Sequence, residues 1–511
     1  MTDAADLVLT NAEVHALTDP DETAEAVAVR DGRIVRVGNS YDVEFLAGAE
    51  TRVVDCEGRV VLPGFVDAHT HLETAGKYLV HADLSAADTL DDAVSALQAR
   101  AAEVDDDEPV LGFGYDESTW PGGRYLDRDD LDAVAADRPV VAFREDMHVA
   151  SVNGAALERF ADDLPAGDVR REDGAPTGVL VEDAVGVVRD AFEPGVAGTR
   201  DLVVAAIDRA NAKGVTAVHD MVRRSQAPRV YRELDLADEL TLRVRLNYWS
   251  DHLDALVETG LRTNHGSEMV QVGAVKSFTD GSFGGRTAKL SEPYADAPEE
   301  TGQWVVDPAE LREIVARADK AGLQLTVHAI GDEAVRETVD AFADCERPGE
   351  ARHRVEHVEL ADDDLLDRMA DLGVVASMQP NFLKWAQEDG LYESRLGERR
   401  TESNRFAAVR EAGVPLAFSS DCMPLDPLLG VHHAVNAPTP DQRLDVTDAL
   451  RAYTRGAAYA GHDEDRMGTV EPGTLADLVV LDDSPWDRPE AIRDIDVATT
   501  VVGGDVVHDQ R

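Results

Sequence analysis

Cysteine is nearly absent from this chain: three residues in 511, Cys56, Cys345 and Cys422, far apart and odd in number. That excludes a disulfide framework and a paired-cysteine zinc or redox site, and leaves buried thiols as the default. Basic residues are also scarce, 49 Lys and Arg against 101 Asp and Glu, for a formal net charge of -52. Acidic runs such as VDDDE, DRDDLD and ADDD are spread along the sequence, so the charge does not belong to one tail. Without a basic surface, nucleic acid is not an expected partner. The excess acid reads instead as a solvated shell suited to a salt-rich cytoplasm, where screening relieves self-repulsion, as in halophile proteins.

Long apolar runs are missing too. No stretch of about 18 apolar residues occurs, and MTDAADLVLTNAEVHALTDPDE has neither a basic n-region nor an apolar h-region. The expectation is a soluble, cytoplasmic protein with no membrane partner. What is present is 43% hydrophobic residues, enough to fill one large domain with appendages.

The chain ends and its middle follow different patterns. Residues 5–62 hold short apolar or alternating runs (DLVLTNAEVHAL, AVAVRDGRIVRVG, TRVVDCEGRVVLPG) separated by Asp-Gly and Gly-Asn turns, a β-meander pattern. GTLADLVVLDDSPW and ATTVVGGDVVHD repeat it at the far end. Residues 1–62 and 465–511 are therefore expected to build one composite β-sandwich domain, since neither end has enough strands to bury a face alone.

Between them, residues 63–464 alternate strands with amphipathic stretches such as DPAELREIVARADKAG. Eight strand candidates stand out: GFVDAHTH, GVTAVHDM, LRVRLNYW, QVGAVKSFTDG, LQLTVHAIGD, HRVEHVE, VVASMQPN and VPLAFSSD. An eightfold strand–helix repeat predicts an α/β fold, the (β/α)8 TIM barrel. Roughly 150 residues separate the first candidate from the second, far more than a β/α loop needs, so an insert subdomain is expected at about 100–200.

In LPGFVDAHTHL, His69 and His71 sit two apart on a strand, where both rings can point the same way and reach one metal ion. Lys276, His328, His357 and Asp421 fall at the ends of other barrel strands, the face where TIM barrels carry their active residues. Each has an ordinary structural reading alone: a core histidine, an N-cap aspartate, a snorkelling lysine. Four histidines and an aspartate exceed what one tetrahedral open site requires, which suggests two metals and a missing bridging ligand. Lys276 supplies a bridge if its neutral amine reacts with carbon dioxide to give an anionic carbamate.

With these residues in place the chain resembles the amidohydrolase superfamily, in particular the family 3, YtcJ-like branch that includes N-substituted formamide deformylases. LPGFVDAHTHL, VKSFTDGSFGGRTA, VHAIGD, RVEHVEL, SSDCMPLDPLLG and GTVEPGTLADLVVLD carry the resemblance. It implies a binuclear zinc centre, with His69, His71 and Asp421 on one ion, His328 and His357 on the other, and carbamylated Lys276 bridging. It further implies hydrolysis of a non-peptide C–N bond in a small amide or formamide by a metal-activated hydroxide, with Asp421 taking and returning the proton. Arg286, His148 and Gln379 are marked by it as substrate contacts. His219 ends a barrel strand but has no place in the set, His353 precedes its strand, and His432 and His433 fall in a helix.

Two other functions compete: deamination or cyclic amide or ester hydrolysis by the same centre, and a catalytically dead structural relative. Against the dead relative, every expected ligand type is present in order. Substrate identity lies in loops the ligands do not specify. For assembly, the only prior is that symmetric homodimers are the commonest closed form.

Overall fold

The computed structural model describes residues 4–511, and they divide into two compact units, 4–71 with Ile207–Arg511, and Leu72–Ala206. The first unit is built on eight parallel strands: β1 (Phe65–Thr70), β2 (Val215–Val222), β3 (Arg243–Trp249), β4 (Val270–Phe278), β5 (Gln324–Ala329), β6 (Arg354–His357), β7 (Val375–Met378) and β8 (Leu416–Phe418). They pair in chain order, β1 beside β2 through to β7 beside β8. The sheet closes nearly into a barrel, and the last strand meets the first through its following loop. The Asp421 N–H donates to the His69 carbonyl at 3.0 Å, and the Ser420 N–H to the Asp67 carboxylate at 3.0 Å. This is the (β/α)8 barrel that the eight strand candidates predict.

Helices between the strands carry the caps a β/α repeat needs. Asp307 caps Pro308–Lys320, whose proline occupies the first turn, where a missing N–H costs nothing. Asp362 caps Asp363–Leu372, and Gly373 in the left-handed region ends that helix before β7.

Two further sheets belong to this unit. One, of four strands, uses only N-terminal residues, ordered Arg33–Gly38, Ala26–Arg30, Ala5–Thr10, Ala47–Asp55. The other, of six, joins both chain ends: Leu478–Leu481 runs antiparallel to Val60–Pro63, with Leu478 opposite Pro63 and Val480 opposite Val61. One core, including Leu9, Val27, Val29, Val61, Leu478, Val480 and Val501, is shared by strands of the two sheets. Burial of apolar faces explains the pairing, since alternate residues of each strand need a cover.

The second unit starts directly after the first barrel strand. Its sheet runs Val169–Glu172, Ala175–Val181, Val149–Val152, Val140–Arg144, Val110–Tyr115, Ala82–Asp83. Separate apolar clusters serve its two faces, one around Phe113, Phe143 and Leu180, the other around Leu84, Leu97 and Leu131. The strand Ala82–Asp83 and the helix Leu90–Ala101 place its start ahead of the position near 100 expected from spacing.

Candidate metal centre at the barrel rim

His69 and Lys276 lie on β1 and β4, His328 and His357 at the ends of β5 and β6, and His71 and Asp421 just past β1 and β8. Five strands therefore carry the six residues to one rim. One ring nitrogen each of His69 and His71 and a carboxylate oxygen of Asp421 lie within 4.8 Å of one another. His69 Nε2 is 3.6 Å and His71 Nε2 3.4 Å from the same Asp421 oxygen, and Lys276 Nζ is 3.5 Å from His69 Nε2. His357 stands beside His69 with ring centroids 5.1 Å apart, and His328 beside His357 at 4.5 Å.

Backbone conformation contributes to this convergence. His357 and Val358 have φ of 77° and 48°, and Asp421 and Cys422 have φ of 54° and 56°. Left-handed conformation is costly for residues with a Cβ, most of all for a β-branched valine, on the order of 1–3 kcal/mol each. Strand alternation alone would set His357 on the face opposite Arg354 and Glu356, and the turn at its own Cα is what brings the ring to the rim.

The hydrogen bonds behind the rings decide what each offers. His69 Nδ1 is 2.7 Å from the Glu356 carboxylate, so that nitrogen carries the proton and Nε2 keeps its lone pair toward Asp421 and Lys276. His357 Nδ1 donates to Gln379 Oε1 at 2.7 Å, again freeing Nε2. His328 is reversed: Nε2 donates to the Gly281 carbonyl at 2.9 Å, which frees Nδ1. Burial, then the Lys276 charge, holds His71 down at about 4, and burial holds His69, His328 and His357 well below the ordinary histidine range. Neutral rings with inward lone pairs are what a divalent cation requires.

The charged members shift in the complementary sense. Burial pushes Lys276 down to about 8, against the pull of Glu356 and Asp421. Burial raises Asp421 to about 7, reinforced by Asp67 and Glu356 and opposed by Lys276. A lysine and a carboxyl brought toward neutrality in one water-poor site are marks of functional chemistry.

Of the proposed substrate contacts, Arg286 follows β4 in an irregular loop, with φ of 53° and a bidentate pair to Asp296 at 3.1 and 2.8 Å. Gln379 is fully buried, and its amide is engaged at both ends, on His357 and on Ser419 Oγ at 2.8 Å. Its direct partner is therefore a ligand-type histidine. His148 lies in the second unit, exposed, 3.1 Å from Glu182. His219 is buried and accepts from Arg354 at 2.7 Å, and His432 and His433 lie in the helix Pro427–Val435.

Sequence reasoning passed over Arg354 and Glu356. Both lie in β6 with no exposed surface, one residue apart on the same face. The available signal was two opposite charges alternating with apolar residues inside a barrel strand, positions that must face the barrel interior.

Another group of ligand-type residues lies at the other end of the strands: Asp319 late in Pro308–Lys320, Cys345 after Asp332–Ala343, and His353 immediately before β6. Its ligand atoms also lie within 4.8 Å of one another. Here His353 Nδ1 accepts the Leu325 N–H at 3.2 Å, so Nε2 carries the proton and donates to Asp319 at 3.2 Å. The ring has no lone pair left for a cation.

Comparison with known proteins identifies the family of the chain. The putative amidohydrolase YtcJ of Bacillus subtilis is 30% identical over 97% of this chain and 98% of its own length. The N-substituted formamide deformylase of Arthrobacter pascens is 27% identical over 99% and 98%. The crystal structure of an uncharacterized metal-dependent hydrolase from Pyrococcus furiosus superposes with a TM-score of 0.80 at 30% identity, covering 94% of this chain and 99% of that one. The model of the amidohydrolase family matches residues 52–508, a span that takes in nearly the whole chain, and the chain belongs to that family.

Proposed function

We propose that this hydrolase cleaves a non-peptide C–N bond of a small amide or formamide-like molecule at the barrel rim. The observation that carries the reading is the wiring of the histidines, which turns the lone pairs of His69 and His357 at Nε2 and of His328 at Nδ1 away from their protein partners. Together with His71, Asp421 and Lys276, this donor set fits two divalent ions of zinc type: His69, His71 and Asp421 would hold one, His328 and His357 the other, and Lys276 as a carbamate would supply an anionic ligand to both. When bound, such ions polarise a carbonyl and acidify a water.

The chain's own residues do the rest. Burial lowers the Lys276 pKa and so favours the neutral amine, which is the form that adds carbon dioxide. The Asp421 carboxylate accepts the proton of the attacking water and delivers it to the leaving nitrogen. Gln379 keeps His357 in its binding tautomer. Arg286 is a proposed substrate contact, and its replacement by alanine is expected to raise KM more than it lowers kcat.

The test is a panel of N-substituted formamides, simple amides, lactams and nucleobases, assayed in high salt with zinc-loaded protein. Turnover of formamides or amides, lost with a chelator and restored by zinc, is the expected result. Full activity after complete metal removal, or turnover of nucleobases alone, would overturn it.

A further inference from the structure

Glu356 lies in β6 with no exposed surface and uses its two oxygens for different tasks. Oε1 accepts from Arg354 Nε at 2.9 Å, from Arg354 Nη2 at 2.7 Å, and from the Thr326 hydroxyl. Oε2 accepts only the His69 Nδ1 proton, at 2.7 Å. Arg354 is itself fixed: it also donates to His219 Nδ1 at 2.7 Å and to the Ala68 carbonyl at 2.8 Å, and it too has no exposed surface. The carboxylate therefore cannot turn away without leaving a buried guanidinium unpaired.

We propose that Glu356 is a positioning residue that dictates the tautomer of His69, and that the Arg354–Glu356 pair exists in the barrel interior for this purpose. The ion pair on its own is a poor source of stability, because two charges are desolvated to form it. An interior of branched aliphatic side chains would fill the same space without that cost. The arrangement does supply an acceptor that never donates: an ionised carboxylate accepts at both oxygens, so the nitrogen facing it must carry the proton. The His69 ring is thereby oriented, Nε2 is left basic, and the charge on Glu356 raises that basicity further. The inference rests on the reading of His69 as a metal ligand.

Glu356→Gln separates this role from simple packing. The amide is nearly isosteric, but the Arg354 guanidinium supplies only donors, so the single amide oxygen must face it and the NH2 must face His69. His69 Nδ1 is then forced to accept, the proton moves to Nε2, and the lone pair at the rim is lost. Zinc affinity is expected to fall about 10–100-fold, with circular dichroism unchanged. The tautomer is read directly from two-dimensional 1H–15N spectra of histidine-labelled, metal-free protein, with the His69 signals identified by their loss in His69→Asn. Wild type is expected to show His69 protonated at Nδ1, and Glu356→Gln protonated at Nε2. A wild-type ring protonated at Nε2 overturns the proposal whatever the variant does, including a variant that fails to fold. A folded Glu356→Gln that keeps the wild-type tautomer or zinc affinity overturns it as well. If His69→Asn leaves zinc binding intact, the proposed function fails at that ligand while the spectra still decide the tautomer.

Discussion

Among the described residues the barrel carries two groups of ligand-type residues whose donor atoms lie within 4.8 Å of one another, His69–His71–Asp421 at the C-terminal rim and Asp319–Cys345–His353 at the opposite end. By residue type the cluster at the opposite end is the more zinc-like, since it contains a thiol. Hydrogen bonding reverses that ranking. His69 gives its far nitrogen's proton to a carboxylate and keeps a lone pair for the cluster, whereas His353 accepts a backbone N–H with its far nitrogen and must spend its proton on Asp319. Proximity of ligand types is thus insufficient, and the partner on the other side of the ring decides which cluster can take a cation.

The contrast is broken most forcefully at Asp421. Asp421→Asn keeps the shape but loses the base, and turnover is expected to fall by about 10²-fold or more while KM changes little. Steady-state kinetics alongside metal content separate the roles, since losses of metal and activity in equal proportion would make Asp421 a ligand only. Lys276→Ala should act next most strongly, taking metal from about two ions per chain to one or fewer. Acetate or propionate should restore part of the activity by occupying the carbamate's place. A Lys276→Ala enzyme with both metals and full activity would remove the bridge from the picture.

At the opposite cluster the expected effects are smaller and of another kind. His353→Gln should leave metal content and kcat unchanged but lower stability by about 1–3 kcal/mol, seen in chemical denaturation, because the Leu325 N–H loses its acceptor. Loss of a metal ion would show that the two clusters are alike after all. The smallest effect concerns Cys345, whose thiol burial and then Asp319 and Asp344 push up to about 12. At pH 8 it is neutral, so maleimide labelling should be slow and equally slow with a chelator present. Faster labelling after chelation would reveal a hidden ion on the thiolate.

Much of this architecture is legible in the sequence because it depends on periodicity. The eight strand candidates coincide with the eight barrel strands, since each is an apolar run bounded by glycine or polar punctuation. The six rim residues stand out for a related reason: a titratable side chain at the end of an apolar strand has few structural uses. Glu356 and Arg354 show where that reasoning stops. In RVEHVE they resemble an unremarkable charged pair, and nothing local says that one oxygen of Glu356 is reserved for a histidine 287 positions away.

By itself, then, the sequence determined the acidic, cysteine-poor character of the chain, the strand–helix alternation of its middle and the residue types available at the strand ends. These follow from composition and from short-range spacing along one chain. Only the tertiary structure decided which histidines turn a lone pair toward a common point. That choice depends on hydrogen bonds between strands distant in sequence and on the left-handed backbone at His357 and Asp421, which neighbouring residues do not prefer locally and which closure of the barrel holds in place.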